Sequence, residues 1–171
     1  MYSRRQFNVF AATGLASLTV STFGAKALTA PAGKPVLTIA GNISESNSPA
    51  GAAFDLKMIE ALGVNGFETT CPWYDGAMKF EGPLMRKLLE TVGAKGSVLS
   101  VQALNDYTTD IPMDDFSKFD AVLAVKRNGE YMPVRDKGPL FIVYPYDSIP
   151  ELKSQTYYKR SAWQVARMTV K

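Results

Sequence analysis

One cysteine and no histidine in 171 residues restrict this chain more than any motif in it. Without a second thiol there is no intramolecular disulfide, so the fold must be held by its apolar core. The 46% hydrophobic content is enough for that at this length. The same absences exclude a Ser-His-Asp triad, an imidazole general base, His-ligated haem or copper, a multi-thiolate iron–sulfur cluster and structural zinc. A single soft ligand remains, Cys71.

The N-terminus narrows the setting. Ser3-Arg4-Arg5-Gln6-Phe7 precedes an apolar stretch from Val9 to Phe23 that is diluted by Thr13, Ser17, Thr19, Ser21 and Thr22. An arginine pair before such a run is the address of the twin-arginine translocase. The run is too short and too polar for a stable anchor across a hydrocarbon core about 30 Å thick. Ala25-Lys26-Ala27 offers small residues at −3 and −1 for cleavage after Ala27. The sequence therefore predicts a twin-arginine signal peptide over residues 1–27, a single domain over 28–171, and a periplasmic location. A Sec leader with an incidental arginine pair is the alternative. Twin-arginine export carries folded proteins, and insertion of a cofactor before export is one reason to use it. Arg4, Arg5 and Lys26 fall in the leader, which has no acid. Of 19 basic and 16 acidic residues, the remainder thus keeps equal numbers of each. No basic stripe is left to bind nucleic acid, which is set aside as a partner.

Past the leader, the pattern predicts an α+β domain dominated by strands, with short helices. Val36–Ala40 reads as a strand, Ser44–Gly51 as a loop, and Phe54–Leu62 as a short helix stopped by Gly63. Phe67–Thr70 leads as a strand into a turn-rich loop, Cys71–Gly76, and Met78–Glu81 alternates as its partner. Pro83 starts a helix with Leu84, Leu88, Leu89 and Val92 facing inward, stopped by Gly93. Ser97–Leu104 and Tyr107–Ile111 flank Asn105-Asp106 as two strands. Asp114 and Asp115 read as the acidic start of a short helix. Ala121–Val125 is a buried strand, which Asn128-Gly129 joins as a hairpin to Tyr131-Met132. Leu140–Tyr144 is another buried strand, Pro145–Arg160 is irregular, and Gln164–Val170 closes the chain as an alternating strand.

Four stretches in order resemble a known family. They are Thr69-Thr70-Cys71-Pro72-Trp73-Tyr74-Asp75-Gly76 with Phe80-Glu81-Gly82-Pro83-Leu84; Asn105-Asp106-Tyr107 with Ile111-Pro112; Asn128-Gly129-Glu130-Tyr131-Met132-Pro133 with Lys137-Gly138-Pro139-Leu140; and Trp163-Gln164-Val165-Ala166-Arg167-Met168. Together they resemble the molybdopterin-binding domain of the sulfite oxidase superfamily, in a short periplasmic form. The resemblance implies that family's mostly-β fold, a molybdenum–molybdopterin cofactor and two-electron oxygen-atom transfer on a small substrate.

In catalytic members a cysteine thiolate binds the metal near the place of Cys71, so the resemblance nominates Cys71 as the metal ligand. It nominates Trp73, Asn105 and Tyr107 beside the pterin, and Arg135, Lys137 and Arg160, with Lys159, as cations for its phosphate. The chain also departs from the pattern. Lys137-Gly138-Pro139-Leu140 stands where catalytic members resemble His-Gly-x-Pro-x-Arg, and a basic residue expected near Trp163 is missing. Cys71 is equally readable as a small packing residue. Trp73, Tyr74, Tyr107, Tyr144 and Tyr146 suit a common cleft or, each alone, a core or rim position. Asn105-Asp106-Tyr107 suits a ligand-facing loop or a tight turn. No residue is nominated as a general acid or base.

Two functions stay open. One is a periplasmic molybdopterin-dependent oxidoreductase with Cys71 on the metal. The other is a non-catalytic periplasmic module that keeps the fold without the metal and binds a small-molecule ligand or a partner. That partner would be a periplasmic or membrane redox or sensor protein.

Overall fold

In the largest sheet, alternation of apolar and polar residues decides which side of each strand is buried. Val98–Ala103 buries Leu99, Val101 and Ala103; Val165–Val170 buries Val165, Met168 and Val170; Leu37–Gly41 buries Leu37 and Ile39. Register lines these rows up, with Ile39 beside Met168, and Met168 opposite Val101. The computed structural model describes residues 28–171, and the leader expected over residues 1–27 lies outside the described residues.

The elements run β1 (Leu37–Gly41), β2 (Ala52–Phe54), α1 (Leu56–Glu60), β3 (Asn65–Cys71), β4 (Tyr74–Gly82), α2 (Met85–Thr91), β5 (Val98–Ala103), β6 (Thr108–Pro112) and α3 (Asp114–Lys118). They continue with β7 (Val122–Ala124), β8 (Lys126–Arg127), β9 (Glu130–Tyr131), β10 (Phe141–Val143), α4 (Gln155–Arg160) and β11 (Val165–Val170). The main sheet has the order β2-β1-β11-β5-β6, with β1 and β11 parallel and the other pairs antiparallel. A second sheet, β3-β4-β8-β9, is antiparallel throughout. Between them β7 pairs with β10, two three-residue strands with every residue buried. Their unbroken apolar runs are what burial on both faces requires. α2 adds Met85, Leu88 and Leu89 to the same core.

The α+β, strand-rich class expected from the sequence is therefore the one observed. Several local readings change. Tyr74, Asp75 and Gly76 belong to β4, because β3 and β4 are joined by only Pro72 and Trp73. The Asn128-Gly129 turn is present, but it joins β8 to β9. The buried strand before it is a separate element, β7, that pairs with β10. Met132 lies outside the hairpin and is buried. Ala52–Phe54 forms an edge strand on β1, so the first helix begins at Leu56. Asp55 caps that helix, its carboxylate accepting from the Met58 amide at 2.9 Å and the Gly33 amide at 2.7 Å. Pro145–Arg160, expected to be irregular, contains a 3₁₀ turn at Pro150–Leu152 and helix α4. Asp115 does not cap α3; its buried carboxylate binds side chains elsewhere.

β4 passes so close to β7 that Gly82 has no room for a side chain: a Cβ there would strike the Leu123 carbonyl. The obstacle is backbone on a buried strand, so relief requires the sheets to separate. Gly82→Ala should destabilise the fold by about 1–3 kcal/mol in denaturant unfolding, whereas Gly63→Ala, with open space around its Cβ, should register only the cost of its positive φ.

Candidate functional site

The tight β3–β4 turn holds Trp73 at the centre of a ring cluster. Its indole meets Phe141 of β10 at 5.4 Å, Trp163 at 5.6 Å, Tyr158 of α4 at 5.9 Å and Tyr146 at 6.4 Å between centroids, each edge to face. One side of this cluster is open. There a cleft of ≈ 350 Å³ runs between the β3–β4 turn, the β5–β6 turn and α4. Trp73, Asn105, Tyr107, Tyr158, Lys159 and Trp163 are among the residues that line it. The volume is at the small end of the range for organic ligands.

α4 is too short to persist alone; its contacts with the core hold it against the cleft. Tyr157 packs on Phe119 at 5.4 Å and on Tyr144 at 5.6 Å. Arg160 reaches the opposite way from the cleft wall: its guanidinium binds both oxygens of Asp115 at 2.9 and 3.1 Å. Asp115 is only 5% exposed, and it also accepts from the Tyr144 hydroxyl at 2.9 Å. Burial and this carboxylate push the Tyr144 phenol well above its ordinary value, so it stays a donor. Ser161 ties the end of the helix to the core through a hydrogen bond with the Tyr146 hydroxyl.

Cys71 closes β3 on the core side of the turn. It is 9% exposed, belongs to the main apolar cluster and is not among the residues lining the cleft. Burial raises its thiol pKa. The Trp73 and Tyr74 amides, with Lys137 and Arg127, pull the other way more weakly. Tyr74 is sandwiched into a charged cluster: Arg127 lies 4.1 Å and Lys137 4.5 Å from its ring centroid, and Asp136 accepts from its hydroxyl at 3.0 Å. Arg127 also donates to Asp136 at 2.7 Å, while its Nη1 is buried without a partner. Burial and Asp136 push the Tyr74 phenol up to about 12.

Of the residues nominated from sequence, Trp73, Asn105, Tyr107 and Lys159 meet in the cleft. Tyr144 and Tyr146, expected to share it, are instead fully buried, because β10 and the residues after it run through the core. Asn105-Asp106-Tyr107 is both a tight turn and part of the cleft wall: Asp106 has φ 64°, and the Asn105 side-chain oxygen Oδ1 accepts from the Tyr107 amide at 3.2 Å. Lys137 stands 5.9 Å from the Trp163 ring centroid, behind the wall. Arg135 lies exposed in the 3₁₀ turn Val134–Asp136, and Arg160 is taken up by Asp115. Sequence reasoning missed Gln155, Tyr158 and Ser161, which come to the cleft on or next to α4. Ser154 before Gln155 was the available helix-start signal.

A mostly-β domain with a small aromatic cleft at the rim of its main sheet is the class of protein that these features define. Residues 56–147 match the family model of the oxidoreductase molybdopterin binding domain, more than half of the chain. The chain belongs to that family, the sulfite oxidase family, and thus carries a domain of the molybdopterin-dependent oxidoreductase type. No curated protein matches it.

A molybdopterin needs a seat for a flat ring system, donors for its phosphate and a ligand for its metal. The first two requirements fit the cleft: facing indoles and phenols, with Asn105 and Lys159 beside them. The third does not fit. The one thiol sits in the apolar cluster and is not among the residues lining the cleft, and burial raises its pKa.

Two charges outside the cleft are the supports to test. Removing the guanidinium in Arg160→Met leaves Asp115 buried and short of its cation, which should cost about 3–5 kcal/mol in chemical denaturation. Asp147 pins β3 from outside, accepting from the Thr70 amide at 2.6 Å, the Thr70 hydroxyl at 2.7 Å and Lys153 at 2.7 Å. Lys153 and Thr70 hold its pKa down to about 2, from an ordinary 3.8. A depressed carboxyl contributes stability above its unfolded pKa and loses it as pH falls through the folded one. The stability gap between wild type and Asp147→Asn should therefore close between pH 4 and pH 2, as read by thermal unfolding across that window.

Proposed function

We propose that this chain is a periplasmic binding protein built on the molybdopterin-binding fold, and that its aromatic cleft takes a small flat organic molecule. The observation that carries this reading is the separation of the thiol from the cleft. Rings and donors line the cavity, while Cys71 packs in the apolar core and is not among the lining residues. The arginine pair and small-residue cleavage site at the N-terminus support export by the twin-arginine route. A periplasmic or membrane sensor or redox protein is the partner that such a module would serve.

A second reading is favoured by one observation. Arg127, Lys137 and the Trp73 and Tyr74 amides all favour a thiolate at Cys71. In that reading the chain is a periplasmic oxidoreductase that performs oxygen-atom transfer on a small substrate. The bound molybdenum cofactor would supply two-electron chemistry. The chain's own contribution would be to seat the ring in the cleft and to offer the Cys71 sulfur to the metal.

Metal analysis separates the two. The full-length chain, exported by a host competent in molybdenum cofactor synthesis, should contain no stoichiometric molybdenum, and Cys71→Ala should be exported and folded alike. Near-stoichiometric molybdenum in the wild type that disappears in Cys71→Ala would overturn the binding-protein reading and establish the oxidoreductase.

A further inference from the structure

The ligand's chemistry can be read from the hydrogen-bonding capacity of the cleft. This rests on the reading of the cleft as a ligand site. Lys159 and the indole nitrogens of Trp73 and Trp163 can only donate. None of the three has a hydrogen-bond partner among the described residues, and Lys159 has no ion-pair partner there. Asn105 adds a fourth donor. Its oxygen is already engaged by the Tyr107 amide, so its free capacity is the NH₂ group. No Asp or Glu lines the cavity. Lys137, near the back of Trp163, adds to the positive field.

We infer that the cleft selects an aromatic acid: a flat ring held among Trp73, Trp163 and Tyr107, bearing one anionic group that Lys159 and Asn105 receive. A neutral ring would leave the ammonium and amide facing only water. A cationic ring would meet Lys159 and Lys137 with no carboxylate to offset them. One or two fused rings match a cavity of ≈ 350 Å³. The acidic group is a carboxylate or a phosphate ester, which share this recognition chemistry.

The test is calorimetric titration of the full chain with 2-naphthoate, 2-naphthyl phosphate and 2-naphthylmethanol at low salt, repeated with Lys159→Gln. At least one acid should bind about fivefold or more tightly than the alcohol, as a partly exposed charge-assisted contact permits. The preference should fall with added salt and vanish in Lys159→Gln. Preference for naphthoate assigns a carboxylate, and preference for the phosphate assigns an ester. Equal binding of acids and alcohol by the wild type, or a preference that survives Lys159→Gln, overturns this inference and leaves the cleft reading standing. No binding of any of the three overturns both.

Discussion

Trp73 occupies one of only two positions between β3 and β4, yet its indole touches rings from β10, α4 and the approach to β11. Edge-to-face packing of this kind is directional, so each neighbour is oriented as well as buried. The consequence is that one residue in a turn sets the distance between the hairpin of the second sheet and the end of the main sheet. The cleft is the space left on the open side of that cluster. Cys71, two residues earlier, packs in the apolar cluster and is not among the residues lining the cavity.

Around this hub the polar groups divide by burial. Asp115, Tyr144 and Arg160 form a closed set in which the buried carboxylate is satisfied by a phenol and a guanidinium. An arrangement of this sort brings little net stability but makes alternatives to itself costly. It holds α4 in one place, and with it one wall of the cleft. Lys159 and Gln155, on the same helix, face the cavity without such partners. One six-residue helix therefore anchors through Arg160 and Tyr157 and presents Tyr158 and Lys159 to solvent.

Much of the main sheet was legible because alternation in Val98–Ala103 is unbroken and one-sided, and in Val165–Val170 it is interrupted only by an irregularity between Val165 and Arg167. The second helix was legible from Leu88, Leu89 and Val92 with Gly93 behind them. Other features were hidden for physical reasons. β2 is three residues with no alternation to read, and pairing with β1 makes it a strand. β7 and β8 are adjacent in sequence but belong to different sheets, a division that no local pattern records. α4 lacks an apolar stripe, because it docks by aromatic rings and one ion pair.

The amino-acid sequence by itself determined the family, the strand-rich class, the reliance on an apolar core and the lack of any histidine- or multi-thiolate-based chemistry. Those follow from residue types and local periodicity, which survive without coordinates. Only the tertiary structure decided that Trp73, Asn105 and Tyr107 share a cavity with Tyr158, Lys159 and Trp163. Only it put Tyr144, Tyr146 and Cys71 in the core and gave Arg160 to Asp115. The reason is that a side chain's chemistry is written in its type, but its partner and its exposure depend on residues tens of positions away. Asp115 and Arg160, separated by 45 residues, make that dependence plain.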